Sequence, residues 1–123
     1  MNWKFWQKNK NAEPTGTIAI YDINYEKSTA EWGRWITKLN TPITVSIESA
    51  ILLLHFGFKK IHLKCLHDGA NNQNWQVVNF HKSYANVVAI DETHTWFTFE
   101  EFNLKILAKK YKNLHNIGEE LNI

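Results

Sequence analysis

The chain has 123 residues, 44% hydrophobic and 21% charged, with 14 basic against 12 acidic side chains and a net charge of +2. That length suits one domain with a real core, which excludes intrinsic disorder, and so mild a charge gives no electrostatic argument for nucleic acid. The single Cys65 excludes an intramolecular disulfide, the N-terminus lacks a secretory apolar stretch, and the longest apolar run, Ala50–Leu54, cannot cross a bilayer, so a soluble cytoplasmic protein is expected.

Residues 1–16 read as an N-terminal arm, closed by the loop chemistry of Pro14-Thr15-Gly16, and residues 17–123 as one α+β domain. Thr17–Tyr25 is strand-like through Ile18 and Ile20. Ser28-Thr29-Ala30-Glu31 has the form of a capping box. It opens an expected helix over Ser28–Leu39, with Trp32, Trp35, Ile36 and Leu39 at i, i+3, i+4 and i+7. Asn40-Thr41-Pro42 ends it. The next stretch fits either period: Ile43, Val45 and Ile47 alternate, while Ile47, Ala50, Ile51 and Leu54 repeat helically. Ser46 as N-cap and Gly57 as a C-terminal stop favour a helix over Ser46–Phe56.

Lys60–Leu66 alternates as a strand, and a polar turn over Asp68–Asn74 leads into Trp75–His81, expected as the return strand. Ser83–Asn86 turns into Val87–Ile90. A second capping box, Thr98-Phe99-Glu100-Glu101, opens an expected helix ending near Leu114, with Phe102 and Ile106 inward. The order β-α-α-β-β-β-α implies an α+β fold, a mainly antiparallel sheet of about four strands covered by about three helices. Trp32, Trp35, Ile36, Ile51, Leu54, Leu63, Val77, Phe102 and Ile106 are the expected core.

No glycine-rich phosphate loop, nucleophile elbow or paired metal-ligand spacing is present. His62, Cys65, His67 and Asp68 gather ligand types, but on a strand His62 faces away from Cys65 and His67, so neither metal nor cofactor is expected. Cys65 lies on an apolar strand face, where a free cysteine packs rather than reacts, although His81 could approach it from the return strand. Lys105, Lys109 and Lys112 share a helical face that reads as solvated rather than phosphate-binding. The arm Trp3-Lys4-Phe5-Trp6 is too short to argue for a membrane surface.

Six tryptophans without a catalytic motif favour recognition over catalysis. Asp91–Glu101 places Trp96, Phe97 and Phe99 among Asp91, Glu92, Glu100 and Glu101, with no lysine or arginine. Aromatic anchors ringed by one sign of charge suit a protein partner, so Asp91, Glu92, Trp96, Glu100 and Glu101 are the candidate partner-binding residues.

A small aromatic-rich α+β chain without catalytic motifs resembles the bacterial immunity proteins that neutralise delivered toxins, including those of contact-dependent growth inhibition. The opening Met1–Lys8 and the segment Ile47–Phe58 carry that resemblance. It implies a non-enzymatic protein that occludes the active site of a cognate toxin domain, with no nucleic-acid or membrane partner. Its mild basicity departs from the acidity of many nuclease immunity proteins. The alternatives are a small histidine-dependent nuclease or hydrolase, drawing on His55, His62, His67, His81, His94 and His115, and a non-catalytic subunit of a larger assembly.

Overall fold

A computed structural model describes residues 2–9 and 11–112. Three strands come first: β1 (Trp3–Lys8), β2 (Pro14–Asn24) and β3 (Thr29–Thr37). Helix α1 (Ile43–His55) follows and runs into a π-helical turn over Phe56–Lys60. Then come β4 (Cys65–Asn71), α2 (Trp75–Lys82), β5 (Asn86–Ile90), β6 (His94–Phe99) and α3 (Glu101–Lys110). Among the described residues the strands form one sheet of six, ordered β1-β2-β3-β4-β6-β5, antiparallel except for the parallel β3–β4 pair. The α+β class therefore holds, while the expected four mainly antiparallel strands become six in a mixed sheet. None of the described helices is long and apolar enough to cross a membrane.

The expected helix over Ser28–Leu39 is strand β3 instead. Ser28 caps nothing. It takes a positive φ of 56° in the turn before β3, and its carbonyl accepts the Lys64 and Cys65 N–H groups, which starts β4 beside β3. The helical spacing of Trp32 and Trp35 comes from an irregularity. Gly33 and Arg34 have φ values of 146° and 47°, and the β2–β3 register shifts beside them. Residues three apart in a regular strand face opposite ways. Here the irregularity turns both indoles inward, with ring centroids 5.8 Å apart. Ile36 and Leu39, expected on the same stripe, are 68% and 85% exposed.

Trp75–His81, expected as a strand, is helix α2, which buries Val78 and His81. The expected Lys60–Leu66 strand begins only at Cys65. The N-terminal segment read as an arm holds β1 and the first residues of β2. Strand β6 occupies the acidic, aromatic stretch. The last helix starts at Glu101 rather than Thr98, because Asn103 Oδ1 accepts the Glu100 N–H and fixes the end there. Its inward face is Leu104, Leu107 and Ala108, so Phe102 and Ile106 are exposed. Leu114 lies outside the described residues, as does His115.

Alternate residues of β4 place the helices. Leu66 packs toward Gly57 after α1, and Asp68 bonds to His81 of α2. Leu66 and Asp68 share one sheet face, so the end of α1 and α2 cover the same side. The core between them joins Ile18, Ile20, Trp32, Ile51, Leu54, Leu66, Phe97, Phe99 and Leu107. The opposite face carries the laterally paired row Tyr21, Glu31, His67 and Thr98.

Candidate functional site

The parallel pair β3–β4 is short. Thr29, Ala30 and Glu31 pair with Cys65, Leu66 and His67, and the two strands then part. Each keeps its outer neighbour: β3 continues along β2 to Thr37, and β4 along β6 to Asn71. The separation thus opens within the sheet rather than at an edge, and leaves backbone N–H and C=O groups facing each other across a gap.

A cleft of about 190 Å³ fills this gap, walled by Trp32, Gly33, Arg34 and Trp35 on one side and Asp68 to Asn71 with His81 on the other. It adjoins a groove of about 560 Å³ between α1 and α2, with Trp35 and Val77 common to both. The groove runs past Thr37, Ile43, Ser46 and Ile47 on one side, and past Gln76, Phe80 and Ser83 on the other, to Lys110 and Tyr111. The first turn of α1 lines this groove and holds no acidic residue. Buried Gln7 fixes that corner. Its Nε2 donates to the carbonyls of Thr17 and Ile36, and Thr37 bonds both Gln7 Oε1 and Ser46.

At the floor of the cleft His81 is 1% exposed. Its Nε2 lies 3.0 Å from Asp68 Oδ2 and its Nδ1 lies 3.3 Å from the Tyr84 hydroxyl. Trp32, Phe97 and Phe99 enclose the imidazole, with ring centroids 5.1 to 5.3 Å away. Burial, then the charge of Asp68, pushes the Tyr84 hydroxyl well above its ordinary pKa. The buried indole N–H groups of Trp32 and Trp35 have no hydrogen-bond partner. Both residues line the cleft, although buried donors are usually paired. On the opposite sheet face burial raises the Tyr21 and Glu31 pKa values, with Asp68 adding to both shifts.

Neither Asp68 nor His81 stands out in the sequence for these roles: Asp68 lies in a ligand-rich run, and His81 in the segment expected as the strand returning past Cys65. In the structure His81 bonds to Asp68 and Tyr84, while the Cys65 thiol donates to the Leu66 carbonyl and is pushed up by burial. Among the described residues no group of three or more His, Cys, Asp or Glu side chains could hold a metal ion. The five candidate partner-binding residues do not line the cleft or the groove. Asp91 organises the β5–β6 turn, accepting the Thr93 and His94 N–H groups through Oδ1 and the Trp96 indole N–H through Oδ2. Glu100 precedes α3, Glu101 pairs with Lys59, and Glu92 is exposed in the turn.

No family model and no curated protein matches the chain, but solved structures do. Apo FdhC, described as a nucleotide-linked sugar GNAT, aligns with a TM-score of 0.79 at 24% identity, over 89% of this chain and 63% of its own. The F149A variant of the spermidine N-acetyltransferase SpeG from Vibrio cholerae aligns at 0.73 and 13% identity, over 89% and 70%. The N-acetyltransferase PseH from Campylobacter jejuni, in complex with acetyl coenzyme A, aligns at 0.65 and 13% identity, over 76% and 64%. This is the GNAT acetyltransferase fold. The chain spans less than two thirds of the FdhC chain it matches.

These likenesses overturn the immunity-protein expectation, and with it the cognate toxin partner and the non-enzymatic reading. The three structures named above are described as a GNAT and two N-acetyltransferases, one of them in complex with acetyl coenzyme A. The nuclease or hydrolase alternative fits them no better.

Proposed function

We propose that the chain is the acyl-thioester-binding core of an N-acetyltransferase. It takes acetyl-coenzyme A along the α1–α2 groove, with the acyl end in the cleft, and passes the acetyl group to an amine. The observation that carries the reading is the parting of β3 from β4 after Glu31 and His67, which opens a gap inside the sheet onto that groove. An extended arm bearing amides suits unpaired strand edges, as in recognition by strand addition. The acid-free first turn of α1 and the side chain of Lys110, both lining the groove, favour phosphates there. Acetyl-coenzyme A, when bound, supplies an acyl group activated as a thioester. The fold shared with N-acetyltransferases supports an amine as acceptor.

Calorimetric titration of the full chain with acetyl-coenzyme A tests the reading. Saturable binding is expected in the range of about 1 μM to 1 mM usual for enzyme substrates, weakened by salt and by Lys110→Glu. Absence of saturable binding up to millimolar concentration would overturn it.

A further inference from the structure

We propose that Asp68, held by the buried imidazole of His81, takes the proton from the acceptor amine as the acetyl group is transferred; this rests on the acetyltransferase reading above. Asp68 is then a catalytic residue and His81 a positioning residue.

Burying a carboxylate and an imidazole together is poorly explained by stability, since apolar side chains usually serve such a place as well or better. Here the surroundings are already aromatic, and the pair stands where the two strands part. For a neutral imidazole beside an ionised Asp68, the hydrogen bonds have one direction. Burial keeps the Tyr84 hydroxyl protonated, so it donates to Nδ1. The remaining ring hydrogen then sits on Nε2 and is donated to Asp68 Oδ2. This tautomer follows from the bonding pattern. Oδ1 carries no hydrogen bond among the described residues. It lies 3.4 Å from where a Cβ on residue 33 would be, and the Tyr21 hydroxyl lies 3.6 Å from the same point. Because residue 33 is glycine, that space is open. The carboxylate thus looks through the sheet toward Tyr21 on its far face, while the cleft and groove lie on the near side. Its side chain is 17% exposed.

The titratable and charged groups facing the pair are Tyr21 on β2, Glu31 and Arg34 on β3, and Tyr84 in the turn after α2, with Tyr111 beyond Tyr84. Glu31 is the competing base on the far face. In the step itself, an ammonium N–H gives its proton to Asp68 Oδ1. The freed nitrogen lone pair forms the C–N bond as the C–S bond breaks. Sulfur leaves with the bonding pair and takes the second nitrogen proton, departing as a thiol, and the proton on Asp68 is released to solvent.

The test is the pH dependence of kcat/KM for thiol release from acetyl-coenzyme A, with ethylamine and spermidine as acceptors. A working base lets the chain use the ammonium form, so the wild-type profile should reach a plateau well below the amine pKa. Asp68→Asn keeps the shape of the pair and should cost about 100-fold or more. Its residual rate should follow the free amine, rising about tenfold per pH unit without a plateau. Acetyl-coenzyme A should still bind to that variant, which a folding defect would not allow. His81→Gln should shift the acid limb; if it does not fold, Tyr84→Phe probes the same chain of bonds from its far end and should also move the limb. A wild-type profile in Asp68→Asn overturns the proposal, as does loss of the plateau in Glu31→Gln but not in Asp68→Asn. A chain that binds acetyl-coenzyme A yet acetylates neither amine also overturns it while leaving the binding reading intact. Failure to bind at all ends the binding reading as well.

Discussion

The six-membered ring of Trp96 lies over Gly69 so closely that a Cβ on residue 69 would fall 2.2 Å from it. The indole is not free to yield. His94 stacks on it with centroids 5.3 Å apart, and Asp91 Oδ2 holds its N–H at 2.9 Å. Gly69→Ala should therefore lower stability by about 1–3 kcal/mol, as overpacking does. The same change in a Trp96→Ala background should cost markedly less, because the clash partner is gone. Chemical denaturation of the four proteins of this cycle measures the coupling. An additive cycle would mean that Trp96 moves aside at no cost.

That contact explains why Trp96 reads from sequence as an anchor for a partner. Aromatic side chains in an acidic stretch look the same whether they await a partner or lie along their own sheet. The α1 helix was legible because Ile47, Ala50, Ile51 and Leu54 repeat at helical spacing, and all four are buried. Strand β3 was not, because the Gly33–Arg34 irregularity gives Trp32 and Trp35 the separation of a helical stripe. The site was hidden for a different reason. Asp68 and His81 are 13 residues apart, on a strand and a helix, and no local spacing announces a pair made by tertiary packing. The legible hint was Gly33 between two tryptophans in a strand-length segment, since an isolated glycine there marks a bulge or a close backbone approach.

Trp32 and Ile36 should behave oppositely, although a helical reading makes them equivalent. Trp32 is fully enclosed against Phe99, His81 and Trp35, so Trp32→Ala should cost about 3–5 kcal/mol. Ile36 is solvent-exposed, and Ile36→Ser should change stability by no more than about 0.5 kcal/mol. Urea denaturation of both variants checks the contrast. Equal losses would restore the helical stripe.

Glu31 should destabilise the fold at neutral pH. Burial raises its pKa, Asp68 and Asp22 raise it further, and His67 partly opposes them. The folded state then holds this proton at pH values where the unfolded chain has lost it. Stability accordingly falls as pH rises through the folded pKa, and the difference vanishes below the unfolded value of about 4.3. Glu31→Gln should raise the melting temperature at pH 7 and leave it unchanged near pH 3. A lower melting temperature for the variant at pH 7 would show that the carboxylate is stabilised by its neighbours instead.

Gly33→Ala should separate binding from transfer. At a φ of 146° an L side chain is strained, at a cost of order 1–3 kcal/mol. The added methyl would stand in ordinary contact with both Asp68 Oδ1 and the Tyr21 hydroxyl, filling the space between them. The groove along Ile43, Ser46, Phe80 and Lys110 does not involve residue 33. Acetyl-coenzyme A should therefore bind within about threefold of wild type, a difference of about 0.7 kcal/mol, while kcat for amine acetylation falls by about 100-fold or more, the scale of a lost proton acceptor. Calorimetric binding and thiol release, measured on the same folded sample, give the two numbers. Parallel losses would mean that the methyl distorts the whole cleft. An unchanged kcat would mean that donor and acceptor meet away from the gap between β3 and β4.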